Sequence, residues 1–189
     1  MCEKEKIFAE LLSLTSEIGV FKVKIIQTEK VETDKSFRLL CESNACGMYG
    51  KCYMCPPNVG NIDELMAQIK NYDYGLVYQT VGQIEDSYDF EGMLEEKKKS
   101  YLITQKLRKV FENLGILKVL HLGAGGCGVC DKCAQQDGLP CHFPELATPS
   151  LEAYGVNVSN LAKVVDMKYT NGQNTVTYFG MVLFSLGEK

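Results

Sequence analysis

Eight of the nine cysteines in this chain fall into two groups of four. The first is Cys41, Cys46, Cys52 and Cys55, with the spacing C-x4-C-x5-C-x2-C. The second is Cys127, Cys130, Cys133 and Cys141, with the spacing C-x2-C-x2-C-x7-C. Cys2 stands alone as a terminal thiol, and residues 56–126 carry no cysteine. An odd count without an export signal argues against a disulfide framework; in a reducing compartment, clustered thiols bind metal or do redox chemistry. Thiolates select zinc or iron–sulfur clusters. A metal-free reading would crowd several thiols into a polar, glycine-rich loop, whereas free cysteine prefers the core.

The second group is the more telling. Three thiolates two residues apart wrap one short loop around a compact object, and a fourth comes from farther along. A cubane cluster offers separate iron corners to such a set. The run is similar to the bacterial ferredoxin ligand pattern C-x2-C-x2-C-x3-C-P. It departs in the longer gap before Cys141, and Pro144 stands three residues beyond that cysteine. Zinc sites use two separated C-x2-C pairs, which consecutive x2 steps do not form. Two [4Fe–4S] clusters are therefore the first expectation, with zinc the alternative and more at home in the first group. Cys55-Pro56 matches the cysteine–proline that completes a ferredoxin cluster, so an exchange of thiols between groups is open. Four thiols per group favour self-contained quartets.

Gly123-Ala-Gly125-Gly126-Cys127-Gly128 matches G-x-G-x-x-G after a predicted strand. A dinucleotide site needs a helix to open there, and a cysteine run follows instead. The glycines are better explained by backbone N–H groups of Gly125, Gly126 and Gly128 approaching cluster sulfurs, which tunes a cluster's potential. Either of His121 and His142, the only histidines, could add an imidazole ligand, but a hydrogen-bonded structural residue, or one supporting a ligand from behind, is the expectation for both. Tyr49, Tyr53 and Tyr154 are candidates to exclude water from a centre or simply to pack. No nucleophile elbow, Walker loop or H-E-x-x-H motif is present, so no catalytic residue is assigned.

The elements that would position these groups alternate along the chain. Glu3–Ile18 repeats apolar residues at helical spacing, and Gly19 stops it. Phe21–Ile25 alternates as a half-buried strand, and Arg38–Leu40 reads as a second short strand leading to Cys41. Asn61 caps a helix with Glu64 as capping-box partner, and Ile62, Leu65, Met66 and Ile69 form its apolar stripe. Tyr74–Val81 reads as a buried strand. A long helix spans Gly92–Asn113, with Leu102, Leu107, Val110, Phe111 and Leu114 inward. Ile116–Leu122 is a strand feeding the second cysteine group. Thr148-Pro149 looks like a helix start, Asn160–Met167 a short helix, Asn171-Gly172 a turn and Thr175–Leu186 a final strand. The expected fold is α/β or α+β: a layered mixed sheet in a single domain over 1–189, with cysteine-rich metal-binding loops at strand ends near 41–57 and 123–144.

The formal net charge of -4 gives nucleic-acid binding no electrostatic support. The run Lys97–Lys99 follows Glu95 and Glu96 directly and reads as a solvated helix face. No stretch is long and apolar enough to span a membrane, and a cytoplasmic location is the expectation.

Four segments together resemble a family of predicted metal-binding proteins, domain of unknown function 2284. They are Cys46-Gly-Met-Tyr-Gly50 through Cys55-Pro-Pro57, Gly125-Gly-Cys127-x2-Cys130-x2-Cys133, Cys141-x2-Pro144 and Pro149-Ser-Leu-Glu-Ala-Tyr-Gly155. The resemblance implies metal binding through these cysteines and an anaerobic setting, and no particular reaction. Ser150 and Glu152 lie in the resembling segment, as candidates for a functional surface or as a helix start with its first-turn acid. The leading expectation is electron transfer or a redox accessory role through two clusters, with a redox protein as partner. The rivals are a zinc-binding structural or interaction module and a cluster-dependent reductase.

Overall fold

The computed structural model describes residues 2–187. In chain order its elements are α1 (Glu3–Glu17), β1 (Lys22–Gln27), α2 (Ser36–Glu42), α3 (Ile62–Ile69), β2 (Tyr74–Gln83), α4 (Phe90–Asn113), β3 (Val119–Leu122), α5 (Val158–Val164) and β4 (Thr175–Phe184). The four strands form one sheet in the order β1-β2-β4-β3. β2 and β4 are its spine, paired antiparallel from Tyr74↔Phe184 to Gln83↔Thr175. β1 and β3 flank them, also antiparallel. The architecture is thus mixed helix and sheet as expected, but the pairing within the sheet is antiparallel where a mixed sheet was anticipated. A strand buried on both faces reads as one apolar run whichever way its neighbour points.

Alternation along the spine divides the core into two halves. Leu76, Tyr78, Val182 and Phe184 meet Leu11 of α1 and Ile103, Leu107 and Phe111 of α4. Val77, Met181 and Leu183 face the other way, onto Leu65 and Ile69 of α3 and Leu161 and Ala162 of α5. Side chains of period two thus feed two helical layers. One close approach in the spine demands glycine. A Cβ on Gly180 would stand 2.2 Å from Cζ of Tyr78, its register partner. Tyr78 is fully buried and shares a 2.6 Å hydrogen bond with Thr104.

Most predicted elements are present, with three corrections. Arg38–Leu40 is helical, within α2, and not a strand. The Asp34 carboxylate accepts the Ser36 N–H at 2.7 Å and starts the turn. Arg38 is buried and donates to the Gly60 carbonyl at 2.7 Å, while Leu39 and Leu40 face solvent. In α4 the buried stripe runs through Ser100, Ile103, Thr104, Leu107 and Phe111, and Leu102 lies off it, 56% exposed. After Pro149 there is only a 3-10 turn over Glu152–Tyr154, whose opening is capped by the Ser150 hydroxyl accepting the Ala153 N–H at 3.0 Å. No helix among the described residues is long and apolar enough to cross a membrane.

Candidate metal centre

The two cysteine segments are brought together by the stretch 148–157. Gly123, the first residue after β3, forms a parallel bridge with Ser150. Its N–H reaches the Pro149 carbonyl at 2.9 Å, and its carbonyl accepts the Leu151 N–H at 3.0 Å. On the other flank, Asp34 donates its N–H to Gly155 at 2.8 Å, and Asn157 donates to Glu32 at 3.0 Å. Gly155 has φ +69°, and a Cβ there would stand 3.0 Å from the Asp34 carbonyl oxygen, so only glycine fits. From α4, Arg108 donates to Thr148 Oγ1 at 2.9 Å and to the Ala147 carbonyl at 3.1 Å. The loops also touch directly through the Tyr53 hydroxyl, which donates to the Leu139 carbonyl at 2.7 Å.

The second cysteine segment leaves a strand end, as predicted. The first leaves α2, not a strand, because Cys41 lies in that helix. Cys52 and Cys55 are buried; Cys41, Cys127, Cys130, Cys133 and Cys141 are half-buried; Cys46 is exposed. The groups meet at Cys52, whose side chain lies beside those of Cys127 and Cys55. Interaction with these two neighbours holds Cys52 below the usual thiol range. The same proximity to Cys52, followed by burial, drives Cys55 and Cys127 upward. Gly126 lies close by: a Cβ there would be 3.6 Å from the Cys55 sulfur. Cys130 is raised by its own desolvation and then by Cys133 and Cys141. Cys41 is raised by burial, then by Glu152 and Cys46.

The eight predicted ligands lie on two neighbouring segments whose cysteines act on one another's charge. Cys41 and Cys46 lie on one side, Cys130, Cys133 and Cys141 on the other, and Cys52, Cys55 and Cys127 at the junction. Cys52 belongs to the first group by spacing and also lies beside Cys127 of the second. Among the described residues, no group of three or more cysteine, histidine, aspartate or glutamate side chains is already gathered about a single metal-ion position.

Sequence reasoning singled out one neighbour of these cysteines, Glu152, and missed another, Arg108. Glu152 lines a cavity of about 220 Å³ with Cys41, Cys46 and Cys55, and burial raises its carboxyl pKa. Ser150, in the same cavity, caps the 3-10 turn, so its structural role is real. Arg108 stands behind Cys127: Thr148 accepts from Arg108 through Oγ1 and gives its backbone N–H to the Cys127 sulfur. No motif announces such a contact.

Neither histidine shows the side-chain hydrogen bond expected of it among the described residues, and the buried Nδ1 of His121 has no hydrogen-bond partner. His121 is buried edge-on to Phe111, and burial, reinforced by Arg108, lowers its pKa to about 3. His142 is exposed and packs edge-on against Phe143. Tyr154 is buried, with its hydroxyl on Gln68 at 3.0 Å. Tyr49 lines the Cys41 cavity. Cys2 is exposed ahead of α1 and donates its N–H to Glu5 at 2.7 Å. Gly125 and Gly128 take left-handed φ of +67° and +65°. No α-helix opens at Gly128, so the dinucleotide context is missing.

The family described as predicted metal-binding protein (DUF2284) matches residues 24–184. The chain belongs to this family. No curated protein and no solved structure matches it.

Proposed function

We propose that this metal-binding protein carries two [4Fe–4S] clusters and serves electron transfer, or an accessory role in a redox system. The observation that carries the proposal is the junction at Cys52, where thiols of both groups touch across two linked loops. The donor set fits: eight unpaired thiols, of which five are half-buried and two buried. The holding residues would be Cys41, Cys46, Cys52 and Cys55 for one centre and Cys127, Cys130, Cys133 and Cys141 for the other. When bound, such clusters accept and donate single electrons.

The chain's own residues then have definable tasks. Burial of Cys52 and Cys55 excludes water from the junction. The Thr148 N–H on the Cys127 sulfur stabilises the thiolate form, and Arg108 places positive charge behind it. Contact between the groups favours short electron paths from one to the other. The net acidic chain suits a basic redox protein as partner. Zinc is the second reading, because Cys52 and Cys55 form a C-x2-C turn, with the Cys55 N–H on the Cys52 carbonyl at 3.1 Å.

The test is purification without oxygen, a visible spectrum, and iron, sulfide and zinc determined on one sample. Brown protein with about eight irons and eight sulfides per chain supports the proposal. Colourless protein with stoichiometric zinc replaces it with a structural or interaction module.

A further inference from the structure

Beside the second cysteine group lies a cavity of about 180 Å³ between α4 and the glycine loop. Lys97, Ser100 and Tyr101 line one wall; Gly125, Cys127 and Cys130 line the other. From these we infer that the cavity is a binding site for a small oxyanion, carboxylates included, held directly against the Cys127–Cys130 side of the centre. The inference rests on the metal-centre reading only for what lies next to the ligand; the cavity itself stands on the protein's own atoms.

Three observations converge on it. The Lys97 ammonium is half-buried and lies over the loop, 3.1 Å from where a Gly125 Cβ would be. Among the described residues it makes no ion pair; the salt bridges there are Lys99–Glu96 and Lys132–Asp137. A side chain on residue 125 would displace that ammonium, so the glycine keeps the cation at the cavity wall. Tyr101 lines the same cavity as Cys127 and Cys130 and carries a hydroxyl donor. Ser100 adds a second hydroxyl from the turn above. An ammonium and two hydroxyls around a space of this size form the donor set a small oxyanion needs.

Charge decides the ligand's sign. A thiolate centre is negative and would repel an anion unless cations offset it. Arg108 is committed to that task through Thr148 behind Cys127. Lys97, with Lys98 at the mouth, is left for the ligand, against one opposing carboxylate, the exposed Asp131. A neutral or cationic ligand would leave Lys97 unanswered in a half-buried wall.

Isothermal calorimetry on the protein purified without oxygen tests this, with formate, acetate and inorganic phosphate as probes at fixed ionic strength. At least one probe should bind saturably, with Kd on the order of 0.1–10 mM for so few atoms. Lys97→Met should weaken it by about tenfold, Lys97→Arg should retain it, and metal content should stay at the wild-type value in both. Tyr101→Phe, which removes one hydroxyl, supplies a second reading: affinity should fall with circular dichroism unchanged. No saturable heat with any probe overturns the inference, as does equal affinity in wild type, Lys97→Met and Tyr101→Phe. If the protein contains no iron, the electron-transfer proposal falls, while the calorimetric result still judges the cavity.

Discussion

The hydroxyl of Tyr53, next to Cys52, donates to the carbonyl of Leu139, two residues before Cys141, at 2.7 Å. One side-chain bond thus ties the first cysteine loop, beside Cys52, to the second just before Cys141. Tyr53→Phe removes only the donor and should cost about 1 kcal/mol, the usual net worth of such a bond. The sharper readout is metal loss to a chelator, which should quicken because the loops part more readily. Unchanged stability and unchanged release together would show that the loops are held elsewhere.

Cys52 is the thiol that faces both groups. Cys52→Ser should lower metal content by about half or more, since a four-thiolate centre then lacks a ligand. Cys2→Ser, at an exposed terminal thiol, is the control and should bind as wild type. Determination of metal per chain settles the comparison. Full loading of Cys52→Ser would remove Cys52 from the ligand set.

Gly180→Ala should be among the most damaging single changes in the sheet. Its Cβ would overlap a tyrosine ring that is buried and hydrogen-bonded to Thr104, so the ring cannot yield cheaply. A loss of about 3 kcal/mol is expected, at the upper end for overpacking. Urea denaturation measures it, and a midpoint equal to wild type would mean that Tyr78 moves freely.

His121 makes stability fall in mild acid. Its folded pKa is lowered to about 3 by burial and then by Arg108, while the unfolded chain takes up the proton near 6.5. Between those values the unfolded state binds more protons, so stability rises with pH there. This contribution is complete above 6.5 and is lost as pH drops toward 3. The slope approaches about 1.4 kcal/mol per pH unit for one proton. His121→Leu should flatten the pH dependence of urea midpoints between pH 7 and 5; an unaltered slope would show that other groups titrate instead.

The local parts of this fold were legible because their causes are local. Asn61 caps α3 as its sequence implies, with Oδ1 accepting the Asp63 N–H at 2.9 Å, and Leu65 and Ile69 fill the stripe beneath it. β2 and α4 follow from apolar runs long enough to show a period. Arg38–Leu40 was too short to show one, and Asp34 two residues before Ser36 was the cue that pointed to a helix. An apolar-only reading puts Leu102 inward, but the polar Ser100 and Thr104 occupy the inward face, where the Tyr78 hydroxyl needs a partner. The cysteine groupings were plain in the spacing. Their meeting at Cys52 and Cys127 was not, because it depends on the bridge between Gly123 and Ser150 and no short-range pattern encodes a pairing between segments so far apart.

That dependence has a temporal side. Among the strands, β3 pairs with β4 alone, and β4 follows it by more than fifty residues, the last of the described elements. Until residues 175–184 have left the ribosome, β3 has no neighbour to hold it, and the glycine loop that carries Cys127 has no fixed root. The thiols of the first group are made early and must wait, exposed, for partners delivered late. The first group's thiols therefore stay without the second loop beside them until β4 has paired with β3.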